Sequence, residues 1–415
     1  MNKIADAAII GAGYGGLIAA YILCKNGLRV TVLERQDAPG KKLLLTGNGR
    51  CNLTNLDMTA DKYFSADKEF IKRLLEEYPV DGELKFLNGL SLFTKEKNGY
   101  VYPVSNQAST VSSVLVREIK KNNGEIICNA CVESVEKKDD CYIIDYGQKL
   151  AARFCIMATG GKAGVYKENE INGFGILKKF GLSLNLMYPA LVQTICEGDL
   201  FFKKVSGVRT DAQIGLYIDG ERIGEESGEL QLTDKGLSGI PVFQLTPYIG
   251  AALTKKDVRF VINYLPSVDR RMVEERVMKL YNEGLKAKLS AEKTFEGMLN
   301  RKLISALLAL SHISPDREVS PVIEDKLKDF INNIFSQEIK VKGLNDFSKA
   351  QISVGGLDLK EINGDFEVKS KKGLYVIGEA LDVSGKCGGY NLHFAYMSAS
   401  KCASAILDAL GNRDN

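Results

Sequence analysis

Gly11, Gly13 and Gly16 of the run Gly11-Ala12-Gly13-Tyr14-Gly15-Gly16, with an acid, Glu34, eighteen residues beyond the last of them, have the types and spacing to hold a dinucleotide. Gly11 allows the tight turn, Gly13 lets a pyrophosphate lie against the backbone, and Gly16 lets a helix pack closely on a strand. The unpaired N–H groups and positive dipole end of a helix starting there stabilise phosphate. Glu34 is placed to accept hydrogen bonds from ribose hydroxyls and to repel a 2′-phosphate, so the site suits FAD or NAD better than NADP. A second run, Lys41-Lys42-Leu43-Leu44-Leu45-Thr46-Gly47-Asn48-Gly49-Arg50-Cys51-Asn52, combines basic residues, glycines and amides in a loop that a simple dehydrogenase does not need. A loop with so little side-chain bulk can bring backbone groups and Asn amides to the edge of an isoalloxazine ring. The competing reading is a solvated surface loop. Towards the end of the chain, Gly378-Glu379 closes an apolar run, and Gly388-Gly389-Tyr390-Asn391 leads into a helix. The positive end of that helix would stabilise a reduced flavin at its N1/O2 edge, with Glu379 accepting from ribityl hydroxyls. An ordinary turn before a surface helix is the alternative.

The elements that must position these residues are legible around them. Residues 7–10 read as a strand, 17–24 as an apolar helix stopped at Asn26-Gly27, and 28–33 as a second strand, which completes a βαβ unit. An amphipathic helix is expected over 111–121 and strands over 125–135, 141–146 and 154–157, the last ending in Ala158-Thr159-Gly160-Gly161. Residues 173–180 read as a helix capped by Gly181. From 189 to 266 the chain turns to short alternating stretches such as 211–219 and 258–265, which predicts an inserted β-rich domain. Helical spacing over 269–289, 295–310 and 322–335 predicts a helical subdomain spanning 267–345. Strands near 351–357, at Phe366 and Val368, and over 373–379, then a helix over 392–410, return to the style of the opening. The expected architecture is α/β: a discontinuous Rossmann-like domain from residues 1–188 and 346–415, with both inserts between.

Composition bounds the rest. The 415 residues predict two or three domains, and 55 Lys plus Arg against 52 Asp plus Glu, a net charge of +3 without a dense basic block, argue against a nucleic-acid partner. With only His312 and His393, a His-rich metal site is excluded; no metal is expected, and His312 reads as a loop or helix-end residue. Nine cysteines form no even framework and the first residues show no signal-peptide pattern, so a reducing cytoplasm is expected. Cys128 and Cys131 fall within the expected strand 125–135, pointing to opposite faces rather than forming a redox pair. The longest apolar run, 303–310, is far short of the ~20 residues that span a bilayer, so no membrane partner is expected.

Taken together, residues 11–16, the loop from Gly40 to Asn55 with its Gly49-Arg50-Cys51-Asn52-Leu53-Thr54-Asn55 ending, Ala158-Thr159-Gly160-Gly161, Gly236-Leu237-Ser238-Gly239-Ile240-Pro241 and the closing segments 373–382 and 388–392 resemble one bacterial family. It is the family of NAD(P)/FAD-dependent oxidoreductases described as aminoacetone oxidase-like, which includes the BaiN-type 3-dehydro-bile-acid Δ4,6-reductases. The resemblance spans essentially the whole chain and implies an FAD domain formed by both chain ends. By position it puts flavin contacts on Gly13, Tyr14, Gly15, Gly16, Glu34, Lys42, Thr46, Asn48, Gly49, Arg50, Cys51 and Asn52. Val132, Thr159, Gly160, Gly378, Glu379, Asp382, Gly389, Tyr390, Asn391 and Leu392 complete the set, Val132 lying on a strand whose backbone meets the adenine. Two positions depart from the family pattern: Thr46-Gly47-Asn48-Gly49 stands where many members have Ser-Gly-Gly-Gly, and His393 where many have Gln.

The expected function is a flavoenzyme that passes hydride from NAD(P)H through the flavin to an organic acceptor, such as the C=C bond of a dehydro-steroid, bile-acid-like or other enone substrate. Because the sequence contains no second full glycine fingerprint, NAD(P)H would act as a transient donor. With so few histidines, Tyr390 and Arg50 are the candidate proton donors. A flavin-dependent amine or aminoketone oxidase using O2 and a non-catalytic flavin redox sensor remain as alternatives. Phe201, Phe202, Tyr217, Phe243 and Tyr248 either line a steroid pocket or form the core of the β-rich insert.

Overall fold

The computed structural model describes residues 4–164 and 173–411, which divide into two compact units, one formed by the described residues up to 187 together with 352–411 and the other by residues 188–351. In the first unit, strand Ala5–Ile10 lies between Val30–Leu33 and Lys149–Met157, parallel to both. Glu125–Ile127 adds in parallel outside Val30–Leu33, and Leu374–Val376 pairs in parallel with the end of Lys149–Met157. This brings a strand from each end of the chain into one parallel sheet. Cys141–Asp145 and Ser134–Lys138 extend it antiparallel, from the opening half of Lys149–Met157.

Such a sheet needs cover on its faces, and the helices Tyr14–Lys25 and Tyr390–Gly411 are apolar on the sides that provide it. Leu17, Ile18, Ala19, Ala20 and Leu23 of the first helix, and Phe394, Met397, Cys402, Ala403 and Ile406 of the last, are all buried in one core cluster. Helix Ala108–Lys121 is amphipathic as expected, with Val111, Leu115 and Ile119 inward.

The second unit holds a six-stranded sheet in the order Thr194–Cys196, Gln337–Leu344, Val258–Asn263, Arg209–Ile218, Glu221–Leu232, Leu237–Ser238, with antiparallel pairings throughout. Its helices, among them Arg270–Ala287, Arg301–Leu310 and Leu327–Ser336, share one apolar core with the sheet, Phe295 and Phe330 meeting at 5.1 Å between ring centroids.

Several elements differ from the sequence reading. The strand expected over 125–135 stops at Ile127 and resumes at Ser134, so Cys128, Cys131 and Val132 sit in irregular backbone. The amides of Asn129 and Ala130 bond the carbonyls of Gln36 and Glu34 instead of a neighbouring strand, and this pulls the chain out of the ladder. The helix expected over 295–310 is two, Ala291–Phe295 and Arg301–Leu310, each capped by its own side chain, Ser290 and Asn300. Segment 267–345 ends in a strand, Gln337–Leu344, which joins the insert's sheet. Phe366 lies in a turn at φ 66° rather than a strand. His312, also at positive φ, ends a helix as expected.

Candidate cofactor-binding site

The carboxyl ends of the parallel strands surround a cleft, the position where open α/β sheets bind ligands. Its lining includes Gly11, Gly13, Glu34, Lys42, Val132, Thr159 and Gly160, seven of the positions singled out from the sequence. The first turn is built as the glycine spacing requires. A side-chain carbon on Gly11 would lie 2.4 Å from the Ala158 carbonyl oxygen, and one on Gly16 would lie 2.1 Å from the Gly11 oxygen. At Gly13 the same addition meets nothing within 4 Å among the described residues, which leave the space above the helix start open. Helix Tyr14–Lys25 begins there, with Gly13 extended at φ −73° and no side chain capping the end, so its free N–H groups face the cleft.

Glu34 does a job that the sequence did not reveal. Its two carboxylate oxygens accept from the backbone amides of Ala12, at 2.8 Å, and Gln36, at 2.9 Å, and so fix the glycine turn against the end of the second strand. Lone pairs remain for a ribose. On the opposite side of the cleft the Thr159 hydroxyl is buried and has no hydrogen-bond partner among the described residues. An open helix start, an acid at the strand end and an orphaned hydroxyl together fit the adenosine diphosphate half of a dinucleotide.

Around Glu379, Lys42 pairs with one carboxylate oxygen, and the Ser353 amide donates to the other at 3.0 Å. Gly161 packs directly against Ser353 and Glu379, since a side-chain carbon there would fall 2.1 Å from the Ser353 hydroxyl and 2.5 Å from the Glu379 carboxylate. Asp382 accepts from the Gly355 amide at 3.0 Å and from the Asn185 side chain at 2.8 Å. Gly378 donates its amide to the Ser398 hydroxyl at 3.1 Å.

The loop after the first βαβ unit winds through a short helix, Lys41–Leu44, and then a run of left-handed residues, Gly47, Asn48 and Gly49, followed by Cys51. Asn48, Gly49 and Arg50 are exposed and Thr46 is half-buried, its hydroxyl donating to Leu43. None of these four lines the cleft below the glycine turn. Cys51 is fully buried, and the Asn52 amide nitrogen is best placed towards the carbonyls of Val101 and Thr54.

At the last helix, Asn391 clasps the Gly385 backbone, accepting from its amide at 2.8 Å and donating to its carbonyl at 2.9 Å. Tyr390 is buried; its hydroxyl donates to the Asp57 carbonyl at 3.1 Å and its phenol is pushed up to about 12 by burial. The proton of this candidate donor is thus engaged by a backbone acceptor. Leu392 is half-buried. Phe201 and Phe202 are core residues of the second unit, packed edge to face at 5.3 Å, whereas Tyr248 is exposed.

The sequence reading passed over Ser353 and Glu83. Glu83 is completely buried and lies on the apolar stripe of helix Val80–Gly89 with Leu87. A charged residue at that spacing was the available signal.

The HI0933-like protein Rossmann domain model matches residues 5–405. The chain is 35% identical over 403 residues to a 3-dehydro-bile acid Δ(4,6)-reductase from Clostridium scindens, covering 95% of this chain and 97% of the relative. It is 28% identical over 410 residues to the ribosomal RNA dihydrouridine synthase of Escherichia coli, 97% and 98% covered. Among solved structures, 3-ketosteroid-Δ4-(5α)-dehydrogenase from Rhodococcus jostii, in complex with 4-androstene-3,17-dione, superposes with a TM-score of 0.51 at 14% identity, over 98% of this chain and 97% of that one. At that identity the likeness is one of fold. No helix among the described residues is long and apolar enough to cross a membrane. A family model covering nearly the full chain, the bile-acid reductase likeness and the cleft at the glycine turn converge on one assignment: the chain belongs to the HI0933-like family and is an FAD-dependent oxidoreductase.

Proposed function

We propose that this chain reduces a carbon–carbon double bond conjugated to a carbonyl, with NAD(P)H as a transient electron donor. The observation that carries the reading is the chemistry shared by two relatives that align along nearly their whole length, one named for the Δ4,6 bonds of a 3-dehydro-bile acid and the other for dihydrouridine. Both names describe saturation of a C=C bond within reach of a carbonyl, on a steroid in one case and on a uracil ring in the other. A dehydro-steroid-like or other small enone is favoured over RNA, because 55 basic against 52 acidic side chains give little field for a polyanion.

Bound FAD supplies hydride transfer through N5. The chain's own residues orient it: Gly13 and the following helix turn take the pyrophosphate, Glu34 the adenosine ribose, and the Thr159 hydroxyl a polar group of the nucleotide. Lys42 with Glu379, Asp382 and the segment from Gly389 to Leu392 serve the ribityl chain and ring, together with the loop from Thr46 to Asn52. No second glycine fingerprint followed by strand and acid exists in the sequence, which favours brief binding of the nicotinamide.

The test is anaerobic rapid mixing. NADH or NADPH is expected to bleach the flavin, and an enone steroid is expected to restore its colour; a uridine-containing ribosomal RNA fragment serves as the competing acceptor. Bleaching by an amine alone, with peroxide on admitting air, would sink the reductase reading. The nucleotide's place is tested separately by thiol labelling. Cys131 is exposed and lines the cleft, whereas burial pushes the Cys51 and Cys155 thiols up to about 12, so both stay protonated at pH 8. At that pH a thiol reagent is expected to modify Cys131 at least ~1000-fold faster than either buried thiol, and FAD is expected to slow that reaction. Labelling of Cys131 indifferent to FAD puts the nucleotide elsewhere.

A further inference from the structure

Glu83 is the least economical residue in the first unit. It comes from helix Val80–Gly89, outside every glycine motif, and it is 0% exposed. An ionised carboxylate in such a place is costly unless fully hydrogen-bonded, and apolar residues of similar volume often serve stability as well or better. Its two oxygens are both engaged. The Tyr14 hydroxyl donates to one at 2.9 Å, and His393 Nδ1 lies 2.6 Å from the other. The Thr54 hydroxyl is a further neighbour of Nδ1, at 3.2 Å. With a carboxylate opposite, Nδ1 carries the proton and donates it.

The partners define what this carboxylate joins. Tyr14 is the first residue of the helix whose start faces the pyrophosphate position. His393 is in the first turn of the last helix, its amide bonded to the Gly389 carbonyl at 3.0 Å. Thr54 follows the loop that ends in Asn52, and its backbone is the surface against which Gly389 packs. Glu83 therefore ties together the starts of two helices far apart in sequence, which the reading of the site assigns to the pyrophosphate and to the ring end of one FAD, and through His393 it reaches Thr54. The other titratable groups around it, Cys51, Tyr63 and Tyr396, are held in their neutral forms by burial and by the charge of Glu83, as is Tyr14, so each remains a donor or a spectator.

We propose that Glu83 is a positioning residue for bound FAD: through Tyr14 and His393 it fixes the relative placement of the two helix starts that the cofactor must engage together. The proposal rests on the reading of the cleft as the FAD site. It explains why a buried charge is kept where an apolar residue would pack, since setting register is the best-attested use of such a group. It also gives the second histidine a role outside proton transfer.

The test is a coupling measurement on the apoprotein, with FAD affinity read by fluorescence quenching and flavin orientation by visible circular dichroism. Tyr14→Phe and His393→Leu are each expected to weaken FAD binding about tenfold, and in a Glu83→Gln background neither is expected to add more than about twofold. His393→Asn, which keeps a donor near the Nδ1 position, is expected to retain affinity within about threefold and to keep the parent dichroism. Should Glu83→Gln fail to fold, the Tyr14→Phe/His393→Leu double variant carries the test, because its loss matches that of a single variant only if one group couples the two. Losses that add independently, or variants that lower the apoprotein's melting temperature while leaving FAD affinity and dichroism at parental values, overturn the proposal. If the parent protein itself takes up no FAD, the reading of the site falls as well; if the parent binds and the variants bind equally, this inference alone falls.

Discussion

Gly13→Ala is expected to melt, as the apoprotein, within about 2 °C of the parent and to bind FAD roughly 5- to 150-fold more weakly, a cost of about 1–3 kcal/mol for forcing a methyl group into a packed contact. Among the described residues nothing lies within 4 Å of that methyl, and the backbone at φ −73° accepts any residue, so folding has no reason to suffer. The methyl instead occupies the space a pyrophosphate must enter to reach the helix start. Gly16→Ala, three residues on, is expected to behave in the opposite way. Its methyl would fall 2.1 Å from the Gly11 oxygen, inside the protein, so the apoprotein itself should lose about 1–3 kcal/mol, or roughly 2–12 °C in melting temperature. Thermal melts without cofactor, paired with FAD titrations, separate the two. Parental FAD affinity in Gly13→Ala means that phosphate does not lie against this turn.

That contrast also marks what the sequence could and could not disclose. The βαβ unit was legible because its signals are local: a short apolar run, glycines at fixed spacing, an apolar helix and an acid, all within 34 residues. The break after Ile127 was not, because the carbonyls that capture Asn129 and Ala130 belong to Gln36 and Glu34, nearly a hundred residues earlier. Residues 337–344 do alternate, with Ile339 and Val341 buried and Glu338 and Lys340 exposed, but the run is short and follows a helix without a clear stop signal. Within the site, residue types spoke for Gly13 and Glu34, whose partners lie within the opening βαβ unit and the turn after it. They said little about His393 and nothing about Glu83, which meet across 310 positions. The acceptor of the Tyr390 hydroxyl, the carbonyl of Asp57, was hidden for the same reason. Chemistry carried by one segment was readable; chemistry made by the meeting of distant segments was not.

Gly389→Ala is expected to damage both the first unit and its hold on the cofactor. Gly389 holds φ 96°, a conformation that costs an L-residue of order 1–3 kcal/mol. A side-chain carbon there would also lie 2.5–2.7 Å from the carbonyl carbon, oxygen and α-carbon of Thr54, backbone atoms with no rotamer to yield. Relief requires the start of helix Tyr390–Gly411 to move away from strand Thr54–Asn55. The hydrogen bond from the Asn55 side chain to the Gly388 carbonyl, at 3.0 Å, and that between Thr54 and His393 would be strained together. Strain and overpacking together are expected to cost about 3 kcal/mol or more, a fall of roughly 6–12 °C in the apoprotein's melting temperature. FAD affinity should drop as well, since the helix start moves with its loop, and added FAD should recover less of the lost melting temperature than it adds to the parent. An unchanged apoprotein melt would show that the last glycine pair does not pack against Thr54. A destabilised apoprotein with undiminished FAD affinity would separate the fold of this loop from its part in holding the cofactor. The expected joint loss follows from one close contact between two backbone segments, which gives Gly389 a structural role beside the one proposed for it at the flavin.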